Sequence, residues 1–138
     1  MKILVMGLPG SGKSTFAKKL VEDLTELGKS AEWFNADQIR EAVNDWDFTE
    51  EGRIRQAERM KRFAEGATTM GKIAVCDFVC PTHNLRKIFN ADIVVWMDTI
   101  STSEYPDTNK LFEEPRHYDY RIKEKNSFPW TKVLADKV

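Results

Sequence analysis

Cysteine is scarce in this sequence, and what there is stands alone. The 138 residues include 2 cysteines and 2 histidines. Cys76 and Cys80 lie four apart in an apolar run, with no histidine or further cysteine at metal-ligand spacing. Neither a disulfide framework nor a zinc site is indicated. Two isolated thiols suit a reducing compartment, and a cytoplasmic protein is expected. Also missing is any apolar run near the ~20 residues that a membrane-spanning helix needs. The opening Met1-Lys2-Ile3-Leu4-Val5-Met6 stops at Gly7 and is too short for a secretory leader. Nor is there an excess of charge of either sign: 21 Lys plus Arg stand against 22 Asp plus Glu, a net charge of -1. A surface devoted to coating nucleic acid would be strongly basic, so nucleic acid is not the expected partner. No repeat, linker or low-complexity tract interrupts the chain. Its length suits one domain spanning 1–138, and the 41% of hydrophobic residues suffices for a core.

What the sequence does contain is an alternation of short apolar runs with helical periodicities. Residues 3–6 are continuously apolar, as in a strand buried on both faces. Phe16, Leu20, Leu24 and Leu27 then recur at helical spacing, and Gly28 supplies a stop. A second strand is expected over 31–34, then a helix beginning at Asp37 with Ile39, Ala42 and Val43 turned inward. Thr49 is a good cap for a longer helix, and Glu50 and Glu51 suit its dipole. That helix runs through Ile54, Met60, Phe63 and Ala64 towards Gly71. A third strand over 72–79, a break at Pro81, a short helix over 82–89 and a fourth strand over 93–97 follow. Beyond Asp98 the chain turns polar and irregular. Residues 118–122 alternate as a fifth strand would, and 129–138 read as a terminal helix with Ser127 as cap and Pro129 in its first turn. The tryptophans Trp33, Trp46, Trp96 and Trp130 are expected in core or half-buried positions.

Between the first strand and the first helix stands Gly7-Leu8-Pro9-Gly10-Ser11-Gly12-Lys13-Ser14-Thr15. It fits G-x-x-x-x-G-K-[ST] without a gap, in the strand–loop–helix setting that the motif requires. Gly7, Gly10 and Gly12 let successive backbone amides turn towards phosphate oxygens, and the helix N-terminus favours the same negative charge. Lys13 reaches the β- and γ-phosphates of ATP, the Ser14 hydroxyl is placed to ligate Mg2+, and Thr15 adds another hydroxyl. Pro9 and Ser11 complete the ATP-binding loop. The fold class follows: α/β, a three-layer P-loop kinase fold with a mainly parallel sheet of about five strands flanked by helices.

The loop alone does not name the reaction. A GTPase would need Asn-Lys-x-Asp; Asn109-Lys110-Leu111-Phe112 begins that pattern without the Asp. A kinase for a small acceptor is favoured. Asn35-Ala36-Asp37-Gln38-Ile39-Arg40 directly follows the second strand, and in a parallel sheet it faces the same crevice as the loop. Asp37 there can take the proton of an acceptor hydroxyl, which makes Lys13 and Asp37 the catalytic candidates. Arg40, one turn on, can hold an acceptor anion with its guanidinium fork. Asp77 and Asp98, at strand ends, are candidates for water-mediated magnesium contacts.

These segments together resemble the adenylylsulfate (APS) kinase family, whose members transfer the ATP γ-phosphate to the 3′-hydroxyl of adenosine 5′-phosphosulfate in sulfate assimilation. The family's G-x-x-G-S-G-K-S-T is matched from Gly7 to Thr15. Its D-G-D-N-x-R is similar to Asn35 through Arg40, with Asp37 and Arg40 matching and Asn35 in place of the first carboxylate. Its G-F-S-x-x-D-R resembles Asp47-Phe48-Thr49-Glu50-Glu51-Gly52-Arg53, and Gln56 falls where the family has Asn. Its F-I-S-P-Y-R resembles Phe78-Val79-Cys80-Pro81-Thr82-His83, and its K-x-F-T-G-I-D keeps only Lys110 and Phe112. The resemblance implies that Asp37, Arg40, Phe48, Arg53, Gln56, Val79, Cys80, Lys110 and Phe112 bind the substrate. Phe48 and Phe112 would sandwich its adenine, while Arg40, Arg53 and Lys110 would meet its phosphosulfate. It also implies Mg2+ with ATP as phosphoryl donor, held through Ser14, and a small anionic nucleotide as acceptor; a homodimer is compatible with it.

The chain departs from the family in one further respect. The basic lid that follows the fourth strand in the family is absent, and residues 99–107 hold almost no positive charge, which makes this a short, lid-less relative. Arg86 or Lys87 is the expected substitute for the charge that a lid would bring. Two other readings use the same residues. Asn35-x-Asp37-x-x-Arg40 also resembles the N-x-D-D-x-R of a polynucleotide 5′-hydroxyl kinase, and a protein that lost its lid can be a non-catalytic nucleotide binder.

Overall fold

The structure, a computed structural model, describes residues 1–138. In chain order its elements are β1 (Lys2–Met6), α1 (Lys13–Glu26), β2 (Ala31–Asn35), α2 (Ala36–Val43), α3 (Glu50–Thr69), β3 (Ile73–Asp77), α4 (His83–Phe89), β4 (Ile93–Met97), α5 (Pro106–Leu111), β5 (Tyr120–Ile122) and α6 (Phe128–Lys137). The five strands form one sheet in the order β2-β3-β1-β4-β5, and every pairing is parallel. β1 is buried along its whole length because it is the middle strand. Its alternate side chains feed two cores. Ile3 and Val5 pack with Phe16, Leu20 and Leu24 of α1 and Leu134 of α6. Leu4 and Met6 pack with Ala57, Met60 and Ala64 of α3 and Leu85 and Phe89 of α4. This three-layer arrangement brings the carboxyl ends of β1, β2 and β3 to one edge, where crevices form in open α/β sheets.

Two polar ties fix α6 to its neighbours. Thr131 donates to the Asp23 carboxylate at 2.5 Å, which also takes a bond from Lys19 at 2.9 Å. Lys29 donates to the carbonyls of Ala135 and Val138 at 2.7 and 2.8 Å, a cation at the helix C-terminus where the dipole favours one.

Several elements differ in detail from expectation. β3 ends at Asp77 rather than 79: Phe78 still donates to the Val5 carbonyl at 3.2 Å, but Cys80 adopts φ 47 and turns the chain away from the sheet. Only Ile39 of the inward-facing set on α2 is partly buried; Ala42 and Val43 are exposed because the helix rests on the sheet edge by its first turns. α2 is capped by Asn35, whose side chain accepts from the Gln38 amide at 2.9 Å, so Asp37 is free of any capping role. Thr49 caps α3, accepting from Gly52 at 3.2 Å. Ser127 makes no side-chain cap bond, although Pro129 lies in the first turn of α6. Trp46 is 49% exposed, unlike the other three tryptophans, because it stands on the connector between α2 and α3 rather than over a core. The short α5 lies in the stretch expected to be irregular. Asn109 staples it, accepting from the Ser103 amide at 2.9 Å and donating to the Ser103 carbonyl at 2.8 Å.

Candidate active site

The loop from β1 to α1 turns against the end of β4. A Cβ on Gly7 would lie 2.6 Å from the Met97 carbonyl and 2.8 Å from Ser11 Oγ, so only glycine fits. Ser11 is buried beneath the turn: its amide donates to Leu8 at 3.1 Å, its carbonyl accepts from Thr99 at 2.7 Å, and its hydroxyl has no partner. Gly7 and Ser11 therefore build the loop from below. Pro9, Gly10, Gly12, Lys13, Ser14 and Thr15 line one side of a cavity of about 1020 Å³.

Opposite them stand Asp37, Arg40, Phe48, Arg53 and Gln56, with Val79 and Cys80 at the end of the crevice. Each is placed by an identifiable contact. Asp37 projects from the first turn of α2 and hydrogen-bonds to no other protein group. Arg40 is buried, and its Nη1 donates to the carbonyls of Asp45 and Asp47 at 2.9 and 3.2 Å. Its guanidinium carbon lies 4.3 Å from the Phe48 ring centre, and that of Arg53 lies 5.4 Å from it. Arg53 also donates to the Phe48 carbonyl at 2.9 Å and to Thr108 Oγ1 at 3.4 Å, which ties α5 to α3. Gln56 is spent on structure: it donates to the Ala36 carbonyl at 3.0 Å and accepts from Arg59.

Two expected residues are not brought to the cavity. Lys110 is exposed on α5, and Phe112 packs at the edge of the larger core with Arg86 5.4 Å from its ring centre. Phe48 thus meets arginines and, at 6.5 Å, the tilted ring of Trp46, while Phe112 lies outside the lining. Arg86 is likewise tied down, donating to the carbonyls of Cys80 and Glu113. The substitute for lid charge expected from it is not found, because those bonds hold its guanidinium outside the cavity; Lys87 is exposed on α4. The rim is formed instead by Glu104, Tyr105, Asp107 and Thr108, together with Trp46. No apolar periodicity marked that rim, and only the position of Pro106 hinted at a helix start.

Charge inside the site is mixed. Lys13 Nζ donates to the Leu8 carbonyl at 3.0 Å; burial pushes its ammonium down from the ordinary lysine value, against the pull of Asp77 and Asp37. Burial also lowers Arg40 and Arg53, the latter opposed by Asp107. Asp77 is raised by burial, against bonds from Trp33, Asn35 and Ser14. Burial pushes the Cys80 thiol up to about 12, so it is a packing residue rather than a nucleophile. Asp98 is engaged by Arg121 at 2.7 Å, away from the cavity. For magnesium, the Ser14 hydroxyl stands 3.1 Å from Asp77 Oδ1. A few hard oxygens beside a phosphate site suit this ion, which takes one or two protein ligands and fills its shell with phosphate and water.

Residues 1–117 match the family described as adenylylsulphate kinase. A protein of Aeropyrum pernix named as a probable adenylyl-sulfate kinase is 34% identical over 87 residues, 62% of this chain and 48% of its own length. An adenylyl-sulfate kinase of Clostridium acetobutylicum is 31% identical over 118 residues, 80% of this chain and 59% of its own length. The chain thus spans about half the length of these curated relatives. In fold it is similar to the APS kinase CysC of Mycobacterium tuberculosis, solved in complex with AMPPNP and APS. That likeness has a TM-score of 0.78 at 20% identity, covering 99% of this chain and 93% of that one.

Proposed function

This chain belongs to the adenylylsulphate kinase family, and we propose that it transfers the γ-phosphate of ATP to the 3′-hydroxyl of adenosine 5′-phosphosulfate. One observation supports this above the others. A single cavity faces the phosphate loop, with Lys13 and Ser14, towards the unpartnered carboxylate of Asp37 and the Arg40–Phe48–Arg53 stack. Donor and acceptor groups of a kinase are then within one enclosure.

The roles follow from the chemistry. The loop amides and Lys13 hold the β- and γ-phosphates. Ser14 would hold a magnesium ion, which when bound neutralises charge on the β- and γ-oxygens. Asp37 aligns the acceptor hydroxyl and takes its proton as the new O–P bond forms and the bond from the γ-phosphorus to the bridging oxygen breaks. Lys13 and the loop amides receive the charge that gathers on ADP. Arg40 engages the protein through Nη1 alone, so its remaining donors are available to the phosphosulfate. Phe48, half exposed between the two guanidinium groups, offers the adenine its ring edge. The thiols of Cys76 and Cys80 are free and buried, in keeping with work in the cytoplasm, and no helix is long and apolar enough to cross a membrane.

Incubation with γ-labelled ATP and magnesium tests the assignment, with adenosine 5′-phosphosulfate, a 5′-hydroxyl oligonucleotide and nucleoside monophosphates offered separately. Label is expected on the 3′-position of adenosine 5′-phosphosulfate. Label on the oligonucleotide alone overturns the reading.

A further inference from the structure

Three large aromatic side chains stand half exposed at the mouth of the cavity: Trp46 at 49%, Phe48 at 51% and Tyr105 at 54%. Aromatic groups scattered singly over a surface need no account, but three around one opening mark a place where a ligand is held. Their surroundings differ. Phe48 already carries the guanidinium groups of Arg40 and Arg53, 4.3 and 5.4 Å from its ring centre. Tyr105 shares its side of the mouth with Glu104 and Asp107, carboxylates that repel an anion. Trp46 is unengaged. Trp33 and Trp130 donate through their indoles to Asp77 and Glu124, and Trp96 lies under Arg121, whereas the Trp46 indole meets no polar protein group. Its mount is nonetheless fixed. The carbonyls of Asp45 and Asp47, on either side of it, both accept from Arg40, and Arg55 and Arg59 clasp the Asp45 carboxylate.

We propose that Trp46 is the residue on which the base of the acceptor nucleotide stacks. The inference rests on the proposed function in taking that acceptor to be an adenine nucleotide. Geometry decides between the rings. A base held between two rings needs them parallel and about 7 Å apart, twice the contact distance of ~3.5 Å. Trp46 and Phe48 are 6.5 Å apart and inclined at 41°, so no base enters between them. Phe112, the other ring expected around the adenine, lies outside the lining altogether. With two guanidinium groups over its ring, Phe48 has an edge to give, and the open face beside it is the indole. A purine laid on that face is covered over both of its fused rings and meets the Phe48 edge at its side, a favoured contact between aromatic groups. The anion of the same nucleotide falls to Arg40 and Arg53, whose guanidinium groups lie against the ring next to Trp46. Base and charge are thus read from one connector. Because that connector is held by its arginines before the nucleotide arrives, little freedom is lost on binding.

Two variants separate stacking from bulk. Trp46→Leu should raise KM for adenosine 5′-phosphosulfate by about 10–100-fold, the range of one lost base–aromatic stack, with KM for ATP and Tm close to wild type. Trp46→Phe keeps a π-face and should recover most of that loss. Fluorescence adds a readout that packing alone does not move. With magnesium–ADP filling the donor site, adenosine 5′-phosphosulfate or adenosine 5′-monophosphate should quench indole emission in the wild type. The quench should vanish in Trp46→Phe, although calorimetry still shows the nucleotide bound. An acceptor KM unchanged in Trp46→Leu overturns the proposal, and so does a parallel rise in KM for ATP. A quench that survives in Trp46→Phe overturns it too, and that measurement decides if Trp46→Leu does not fold. Wild-type protein that labels no adenosine 5′-phosphosulfate, yet binds adenosine 5′-monophosphate and loses it in Trp46→Leu, would overturn the acceptor assigned above and leave Trp46 in place. Labelling of adenosine 5′-phosphosulfate to the same extent by wild type and Trp46→Leu, at equal KM, does the reverse. Wild-type protein that binds neither nucleotide overturns both.

Discussion

Replacing Gly52 by alanine sets two effects against each other, and their sizes decide the outcome. In a helix interior, alanine is favoured over glycine by about 1 kcal/mol, so Gly52→Ala in the first turns of α3 would ordinarily stabilise. Here an added Cβ meets the Asp47 carbonyl oxygen at 2.2 Å and the Asp47 carboxyl carbon at 2.4 Å. The connector from α2 must retreat by about 0.8 Å merely to reach 3.0 Å, still a tight contact. That connector is not free to move. It receives the Arg40 bonds at Asp45 and Asp47, carries Phe48, and is clasped by Arg55, which reaches Asp45 and Asp47 at 3.1 and 3.0 Å. Overpacking of a fixed segment costs about 1–3 kcal/mol, and a loosened bond to a charged donor adds roughly 1.5 kcal/mol more. The net expectation is a loss of about 2–3 kcal/mol, read as a fall in Tm of roughly 5–15 °C for a domain of this size. Because the displaced connector carries Phe48, on the side of the cavity proposed for the acceptor, KM for adenosine 5′-phosphosulfate should rise more than KM for ATP. Thermal unfolding by circular dichroism and steady-state kinetics measure the two arms. A variant with a higher Tm and an unchanged acceptor KM would show that helix propensity wins and that the connector gives way freely.

Lys13→Ala should reduce phosphoryl transfer by about 1000-fold or more, since it removes the cation at the migrating charge; substantial label transfer would contradict the mechanism. Asp37→Asn should lower kcat by about 100-fold or more while KM for ATP stays nearly constant, and equal losses in both would rule out a base. Arg53→Met removes the link from α3 to Thr108 and one face of the Phe48 stack, so acceptor KM should rise with little change in Tm; an unaltered KM refutes it. Asp23 supplies a pH signature. Burial raises its carboxyl, but the bonds from Thr131 and Lys19 outweigh burial and hold it below the ordinary carboxylate range. A depressed folded value stabilises above the unfolded value of about 3.9, and that contribution fades as pH falls through the folded one. Asp23→Asn should therefore lower Tm at pH 7 and flatten its decline below about pH 4; identical acid limbs in both proteins would sink the idea.

Legibility in the sequence followed the locality of the cause. The phosphate loop, the N-cap of α3 at Thr49 and the run of β1 are each set by neighbours within a few residues, and all lie where periodicity and motif put them. Asp37 and Arg40 were reachable because a parallel sheet brings strand ends together, whereas Phe48 on the connector and Arg53 on α3 were reachable only through the family resemblance. Lys110 and Phe112 were not, because their positions depend on α5, which is held by the side chain of Asn109 rather than by any apolar stripe. Arg86 shows the same limit: its charge suggested a substitute for the lid, but the carbonyls of Cys80, at the turn after β3, and of Glu113, beyond α5, hold it in place. The bond from Trp33 to Asp77 joins side chains on the same face of neighbouring strands, and only the register of β2 on β3 makes it visible.

The central place of β1 has a consequence for how the protein comes into being. Its partners on either side, β3 and β4, lie roughly 70–90 residues further along the chain, and contacts of such separation form late. The phosphate loop begins at the seventh residue, yet its curve depends on Met97, which Gly7 all but touches. During synthesis the first strand therefore waits, apolar and unpaired, until the third has emerged, and its second edge stays open until the fourth follows, an interval in which such an edge is prone to aggregate.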